Sequence, residues 1–284
     1  MPEPDISGWT SPRSAGSAAP GPRARYRPDM DREPATETVV ARWLRDARAV
    51  TVLTGAGIST ESGIPDFRGP QGLWTRNPGA QAMFTLDSYL ADPEVRRRAW
   101  QARLEHPAWE AKPNAGHRAL VDLERRGRLR AIVTQNIDGL HQAAGSAPER
   151  VIEIHGTVHW VTCLACERRT PMPEVLDRIK GGEEDPPCPA CGGVQKSATI
   201  SFGQALEPAV LAAAAAASRE CDLFLAVGTS LAVHPAAGMC DLALGAGARL
   251  VILNAEPTPY DPLAHAVLRD PIGALLPRLV AATA

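Results

Sequence analysis

Short apolar runs rich in β-branched residues constrain the fold of this chain more than any other feature of its sequence. Within each run the apolar residues are continuous, which is typical of strands that are covered on both faces in a parallel sheet. Helix-like segments at His117–Arg126 and Pro208–Arg219 lie between some of the runs. This alternation predicts an α/β fold built on a doubly wound parallel sheet. The runs are Ala49–Leu53, Ala131–Val133, Val151–Ile154, Leu223–Val227 and Leu250–Leu253.

The residues that directly follow these runs are small, polar or titratable. Parallel strands bring their carboxyl ends to one edge of a sheet, and ligands bind in the crevice outside that edge. The repetition of such endings along the chain therefore predicts a binding crevice. The endings are Thr54–Gly57, Gln135–Asp138, His155–Gly156, Gly228–Ser230 and Asn254–Glu256.

Two regions do not fit the pattern of the sheet. Residues 66–111 have a helical and loop-like character, and residues 158–203 contain pairs of cysteines. We interpret both as insertions that together form a smaller lobe. The sheet domain is then assigned to residues 34–65, 112–157 and 204–284.

Residues 1–33 are rich in Pro, Ser, Gly, Arg and Asp and lack apolar periodicity, so we expect a disordered tail. A helix is predicted directly after it, with Thr36 as its N-cap. The net charge of -2 gives no single-sign field that would favour nucleic acid. No apolar run approaches the ~20 residues that span a bilayer, and the N-terminus lacks a signal-peptide pattern. We therefore expect a cytoplasmic protein that binds neither membranes nor nucleic acid directly.

The cysteine pairs Cys163/Cys166 and Cys188/Cys191 are each spaced as C-x-x-C. Two such pairs, with twenty-one residues between them, are typical of a tetrahedral zinc site. Four thiolates leave no coordination position for water, so the pattern predicts a structural zinc ribbon. A catalytic zinc would need an open position, for which His159 is the nearby candidate, and a redox role is a further alternative.

The glycines after the first run have an informative context. Gly55-Ala56-Gly57 permits a tight turn and a close approach of backbone to a pyrophosphate, as in Rossmann-like dinucleotide sites, but Thr60 stands where a third glycine belongs. For these residues alone, a structural turn is an equally good interpretation. The stretch GAGISTESGIPDFR at 55–68, however, resembles the signature of the sirtuins. The resemblance extends from about residue 36 to the C-terminus through TQNIDGLH at 134–141, EIHG at 153–156 and GTSL at 228–231.

The resemblance implies an NAD-dependent protein-lysine deacylase, above all a deacetylase, that acts on acyl-lysine proteins or peptides. In the sirtuins the acyl oxygen attacks C1′ of the nicotinamide ribose, and a histidine then removes a proton from a ribose hydroxyl. The products are nicotinamide, O-acyl-ADP-ribose and free lysine, so NAD is consumed rather than reduced. His155 takes the position of this base, and a histidine can accept a proton near neutral pH. A hydrogen-bonded structural histidine is the alternative.

The resemblance also assigns residues to the NAD site, with zinc as the second cofactor. Asn136 and Asp138 join His155 as catalytic residues, and turn capping is the alternative role for their side chains. The loop that contains Phe67 would close over NAD, and Ile272 would contact adenine. The predicted cofactor-binding residues are Gly55, Ala56, Gly57, Ser59, Asp66, Phe67, Arg68, Gln135, Asn136, Asp138, Gly228, Thr229, Ser230, Asn254, Glu256 and Ile272.

Two loops would clamp the substrate peptide as an added strand. By resemblance, Phe202, Gly203 and Val233 bind the substrate, with core packing as the alternative for the two apolar side chains. Sirtuins that remove succinyl groups carry a Tyr-x-x-Arg pair, and the best alignment places Trp100 and Arg103 there. Because the tyrosine is lost, neutral acyl groups are favoured over acidic ones. We interpret Arg103 as a solvated helix charge.

Other functions stay open at this point. Mono-ADP-ribosyl transfer to protein uses the same activated ribose, so the sequence does not exclude it. A zinc-ribbon module that binds nucleic acid or protein would predict a basic patch and would not need His155. An NAD-linked oxidoreductase would reduce the cofactor instead of cleaving it. The near-neutral charge and the intact block around His155 favour the deacylase.

Overall fold

The computed structural model describes residues 36–66, 69, 72 and 85–283, so the predicted tail lies outside the described residues. The strands of the described ranges are β1 (Val50–Thr54), β2 (Leu129–Thr134), β3 (Val151–Glu153), β4 (Gly156–Cys163), β5 (Arg169–Pro171), β6 (Gln195–Thr199), β7 (Leu223–Val227), β8 (Arg249–Leu253) and β9 (Ala266–Leu268). The larger sheet has six strands in the order β3-β2-β1-β7-β8-β9. All of its neighbouring strands are parallel.

This strand order confirms the predicted doubly wound fold. Counted along the larger sheet alone, the order is 3-2-1-4-5-6, that of Rossmann dinucleotide-binding sheets. The winding reverses between β1 and β7, which is the place where open parallel sheets of this kind bind their ligands. Each predicted apolar run corresponds to a strand of this sheet. Strand β9, at the edge of the sheet, lies outside the predicted runs.

Helices cover both faces of the larger sheet. The helices of the described ranges are α1 (Glu37–Asp46), α2 (Leu86–Ala91), α3 (Pro93–Leu104), α4 (Ala115–Arg125), α5 (Leu140–Ala144), α6 (Met172–Lys180), α7 (Pro208–Arg219), α8 (Met239–Gly245) and α9 (Ile272–Ala281). Helix α1 begins where predicted, since Thr36 Oγ1 accepts a hydrogen bond from the N–H of Val39. Helices α1, α4 and α9 pack on one face, and α7 and α8 pack on the other.

The two apolar layers follow from strand geometry. Successive side chains of a strand point to opposite faces, so Val52 and Ile132 enter the layer beneath α4 while Leu53 and Val133 enter the layer beneath α8. All four side chains are fully buried. Continuous apolar runs are needed because neither face meets water.

The smaller lobe combines two distant parts of the chain. Strands β5, β4 and β6 form an antiparallel sheet, against which α6 packs. Trp100 from α3 enters the same core as Val161, Met172 and Ile179. The helical and the cysteine-containing insertions therefore share one hydrophobic core. No helix within the described ranges has the length and apolarity that crossing a membrane requires.

The ends of β1 and β7 meet through glycine backbone. The N–H of Gly55 donates to Val227 O at 3.1 Å, and that of Gly57 donates to Gly228 O at 2.9 Å. Gly228 has a φ of +62°, and a Cβ there would lie 2.4 Å from the Ile58 nitrogen. A Cβ on Gly57 would lie 2.7 Å from Gly228 Cα. Side chains are thus excluded from both turns at the place between β1 and β7 where the winding of the sheet reverses.

We expect Gly228→Ala to lower the free energy of unfolding by about 3 kcal/mol or more, because both the left-handed backbone and the contact with Ile58 oppose a Cβ. Gly247→Ala is the matched control. Gly247 has a φ of +90° but nothing within 4 Å of its added Cβ, so only the backbone strain of about 1 kcal/mol applies. Urea unfolding followed by circular dichroism measures both. Equal losses would contradict the close-packing argument.

Candidate active site

The turn that follows β2 joins the ends of three strands. The N–H of Gln135 donates to Thr54 O at 3.0 Å, which holds the turn beside β1. Gln135 Nε2 donates to Thr229 Oγ1 at 2.8 Å, which links the turn to the end of β7. The structure therefore brings these predicted site residues together at one edge of the sheet.

A buried polar cluster lies between this turn and the glycine loop. Ser59 Oγ donates to Asp138 Oδ2 at 2.7 Å, and Asn136 Nδ2 donates to Ser59 Oγ at 3.2 Å and to Gly55 O at 3.1 Å. The other carboxylate oxygen of Asp138 accepts the N–H of Leu140 at 2.9 Å. Asp138 therefore caps the turn, as the alternative interpretation held, and also takes part in the cluster.

His155 lies between β3 and β4, beside the same turn. Its Nδ1 is 3.1 Å from Gln135 O. Because a carbonyl oxygen can only accept, we assign the ring hydrogen to Nδ1, which leaves Nε2 with a free lone pair in the neutral ring. Burial lowers the pKa of His155 below its ordinary value of 6.5, against the opposing effect of the hydrogen bond to Gln135. The imidazole is thus neutral at pH 7, the form that can accept a proton.

The predicted adenosine contacts lie at the carboxyl end of β8 and the start of α9. Asn254 Nδ2 donates to Glu256 O at 2.8 Å, and the guanidinium of Arg269 donates to the backbone oxygens of both residues. Ile272 packs partly against the core, and its Cγ2 would be 3.3 Å from a Cβ on Gly116. These residues share the sheet edge with the turn after β2, and their contact with adenosine stays a prediction.

The loop predicted to close over NAD is described only in part. Asp66 Oδ1 accepts the N–H of Gly69 at 3.0 Å. Phe67 and Arg68 lie outside the described residues, so the structure does not bear on their predicted roles.

The predicted peptide-binding residues include one exposed aromatic ring. Phe202 is 45% exposed, so the alternative of core packing is wrong for this residue. Its carbonyl accepts the N–H of Leu86 at 2.9 Å, while Gly203 turns the chain with a φ of +82°. Val233 is half-buried. Phe202 therefore presents part of its ring to solvent, and its contact with a substrate peptide stays a prediction.

Two buried histidines beneath the turn received no role from the sequence. His141 Nε2 lies 3.0 Å from Thr54 Oγ1, and the rings of His141 and His117 are 5.0 Å apart. His117 Nδ1 accepts the N–H of Asn114, whose side chain also donates to Ile58 O at 2.7 Å. These residues support the site from below. The sequence signal that could have found His117 is the capping pattern that it forms with Asn114 at the start of a helix.

Basic and N–H groups surround a small cavity beside the Phe202 loop. Arg103, Lys196 and Trp100 line it, and Trp100 Nε1 is buried without a hydrogen-bond partner among the described residues. Burial lowers the pKa of Arg103 to about 10 and that of Lys196 to about 8. Arg103 is half-buried and lines this cavity, so the interpretation of its side chain as a solvated helix charge holds only in part.

The four paired cysteines form one cluster, with all sulfur atoms within 4.8 Å of one another. The Sγ atoms of Cys163 and Cys191 are 3.5 Å apart, and those of Cys166 and Cys188 are 3.8 Å apart. A disulfide would need about 2.05 Å, whereas a tetrahedron with metal–sulfur bonds of about 2.3 Å places its sulfurs about 3.8 Å apart. His159 lies outside this cluster, and its Nε2 contacts Asp138 O, which counts against a catalytic zinc with His159 as a ligand.

Together, the sheet topology, the glycine turn and the polar edge define a dinucleotide-binding α/β protein with an inserted four-cysteine module. Residues 55–235 match the profile of the Sir2 family. The chain belongs to that family.

Relatives and solved structures agree with this assignment. The NAD-dependent protein deacetylase 2 of Streptomyces coelicolor is 56% identical over 231 residues, which cover 81% of this chain and 96% of that protein. An NAD-dependent protein deacylase of Thermus thermophilus is 46% identical over 231 residues, 80% of this chain and 87% of that protein. A solved structure of Sir2 bound to an acetylated peptide has a TM-score of 0.75 at 34% identity, covering 84% of this chain and 95% of that one.

We expect the two buried histidines to make the fold sensitive to acid. Burial lowers the pKa of His117 to about 4 and that of His141 to about 3, whereas both titrate near 6.5 in an unfolded chain. The unfolded chain then binds more protons below pH 6.5. Stability that is present above this pH is lost as the pH falls towards 4 and 3, at up to about 1.4 kcal/mol per pH unit for each histidine.

His141→Gln, which keeps a group that can hydrogen-bond to Thr54, should reduce this dependence. Urea midpoints of wild type and variant at pH 7.5 and 5.0 measure the effect. The same pH dependence in both proteins would contradict the assignment to His141.

Proposed function

We propose that the protein is an NAD-dependent protein-lysine deacylase, and first of all a deacetylase. It would convert NAD and an acyl-lysine protein or peptide into nicotinamide, O-acyl-ADP-ribose and free lysine. The orientation of His155 carries this proposal, since Gln135 O holds its Nδ1 and leaves Nε2 as a base at the sheet edge. The names of the Streptomyces coelicolor and Thermus thermophilus relatives support the same activity.

Each group at the edge has a task in this proposal. His155 Nε2 accepts the proton of a ribose hydroxyl. Asn136 and Asp138, already ordered by Ser59, hold the nicotinamide ribose, because groups that are preorganised lose little freedom when substrate binds. Thr229, Ser230, Asn254 and Glu256 contact the remaining ribose and phosphate groups of NAD.

The glycine turn contributes through close approach of its backbone. The N–H groups of Gly55 and Gly57 already donate to the carbonyls of Val227 and Gly228, so they do not serve as the phosphate donors. The absence of side chains on this turn instead lets the pyrophosphate lie against the backbone beside Ala56.

We expect His155→Ala to lower the steady-state rate of turnover of NAD and acetyl-lysine peptide by at least 10²-fold, since general-base catalysis is worth about 10²–10⁴-fold. His265→Ala is the control, because His265 hydrogen-bonds Leu250 at the opposite end of the sheet. Mass spectrometry of the products identifies the reaction. O-acyl-ADP-ribose supports deacylation, whereas ADP-ribose attached to protein would indicate the transferase alternative, and unchanged turnover in His155→Ala would contradict the role of the base.

We propose that the cysteine cluster holds one structural zinc ion, which ties β4 to the segment before β6. The measured sulfur separations match a tetrahedral thiolate site. Because the thiols must stay reduced to bind the metal, we place the protein in a reducing compartment such as the cytoplasm.

Dialysed protein should contain about one zinc per chain by elemental analysis. Cys188→Ser should lose the metal and melt at a lower temperature, because metal binding contributes to folding of the lobe. Cys221→Ala is the matched control, since Cys221 is buried outside the cluster. Metal-free, fully folded wild-type protein would contradict the zinc assignment.

Removal of acidic acyl groups is a second candidate function, which the cavity beside Phe202 favours. Arg103 and Lys196 have no carboxylate partner among the described residues, and the indole N–H of Trp100 is unpaired. Such donors suit the carboxylate end of a dicarboxylic acyl chain.

We expect succinyl-lysine peptide to be a measurable substrate. Arg103→Leu should lower kcat/KM for it at least 10-fold, because a carboxylate would lose its charged partner, and should change that for acetyl-lysine peptide less than threefold. Equal effects on both peptides would remove this candidate and leave deacetylation.

A further inference from the structure

The turn after β2 carries most of the catalytic groups, and its outer side is held by β4. The N–H of Val158 donates to Ile137 O at 2.9 Å. One residue further along, His159 Nε2 lies 2.9 Å from Asp138 O. Since a carbonyl oxygen can only accept, the imidazole is the donor in this second contact. Two consecutive carbonyls of the turn are thus held by consecutive residues of one strand.

The contact from His159 depends on the residue that follows Asp138. Gly139 has a φ of +72°, and a Cβ there would lie 2.6 Å from His159 Nε2. The ring therefore occupies the space in which any other residue would place its Cβ. Gly139 also precedes α5, so the imidazole reaches the backbone where the turn passes into this helix.

The ring is oriented by the smaller lobe. Trp109 packs edge-on against His159, with centroids 5.7 Å apart and an interplanar angle of 76°. Trp109 is itself held by its Nε1, which donates to Arg103 O at 2.6 Å. Trp109 also packs against the core that Trp100 shares with α6. The position of this lobe is thereby transmitted through Trp109 and His159 to the backbone of Asp138.

The carbonyl that His159 holds belongs to a residue of the polar cluster. Asp138 uses its carboxylate oxygens on Ser59 and Leu140. A shift of its backbone would move both contacts and the Asn136 amide that shares Ser59. Displacements of about 1 Å in such groups can cost about 10²-fold in rate.

We propose that His159 is a positioning residue for the NAD site, which acts from outside the site through the backbone of Asp138. It does not touch the reacting atoms, and it is distinct from the base His155. It fixes the distance of Asp138 and Asn136 from the glycine turn. Through this distance it affects the affinity for NAD and the rate of NAD cleavage. This inference rests on the proposed deacylase function.

Three substitutions separate the hydrogen bond from the shape of the ring. His159→Phe keeps an aromatic ring against Trp109 and removes the donor. His159→Asn keeps a polar group but places its amide too far back to reach Asp138 O. His159→Gln places an amide N–H close to the position of Nε2 and serves as the rescue variant.

With NAD and acetyl-lysine peptide, we expect His159→Phe and His159→Asn to lower kcat about 10-fold and to raise the KM for NAD, with the KM for peptide within twofold of wild type. His159→Gln should recover kcat to within about threefold. Kinetic constants of Phe and Asn variants equal to those of wild type would overturn the inference, as would a Gln variant impaired as strongly as the other two.

Calorimetric titration of NAD separates this inference from the proposed function. Weaker NAD binding in His159→Phe and His159→Asn, restored in His159→Gln, supports the positioning role even if wild type releases no nicotinamide, which would count against the deacylase alone. If wild type shows no turnover and the affinity for NAD is also unchanged in His159→Phe and His159→Asn, the positioning role would be overturned as well. A thermal melt of each variant detects general unfolding, which lowers the active fraction and thus the apparent kcat while both KM values stay at those of wild type, and a loss of that kind alone would overturn the inference.

Discussion

The contact between the glycine turns after β1 and β7 is the constraint on which the site depends. Gly57 and Gly228 bring two backbones together at the point where the sheet winding reverses. This approach lets Ser59 reach Asp138, and lets Gln135 reach Thr229. A wider separation of these turns would divide the polar edge into groups that could not bind one ligand.

A layered set of hydrogen bonds then orders the chemical groups. Gln135 orients His155 by its carbonyl and reaches β7 by its side chain, so one residue links the base to the switch point. Thr54 and His141 form a buried hydrogen bond beneath the turn that contains Gln135. Buried polar groups are costly unless paired, so the hydrogen bond between Thr54 and His141 favours one arrangement of the turn, although His141 Nδ1 has no partner among the described residues.

Much of this arrangement could be predicted from the sequence, for identifiable reasons. Continuous apolar runs of this length are typical of strands covered on both faces, so the sheet followed from β-branched residues such as Val50 and Ile132. The C-x-x-C spacing supplied the cysteines, and the family signature supplied the role of His155. The environment of Arg103 could not be predicted, because its burial depends on how α3 packs against strands about ninety residues further along the chain. The link from His159 to Asp138 was hidden for the same reason, since no periodicity records which carbonyl a strand residue meets.

The glycine turn shows how a correct pattern can have a different physical cause. The sequence left open a pyrophosphate site and a structural turn, and the N–H groups of Gly55 and Gly57 donate to the carbonyls of Val227 and Gly228. The glycines are needed because they let the backbones after β1 and β7 come into close contact. The same glycines would therefore be required for folding even when no nucleotide is bound.

The shared core of the smaller lobe also has a consequence during synthesis. Trp100 packs with Met172 and Ile179, so a ribosome must add more than seventy residues before the indole of the nascent chain meets these partners. Until then a large apolar side chain of the emerging polypeptide stays accessible to chaperones and to other chains. The packing partners in this lobe are far apart in the sequence, so its core forms late in synthesis. The translation rate across residues 105–180 sets how long the indole stays exposed.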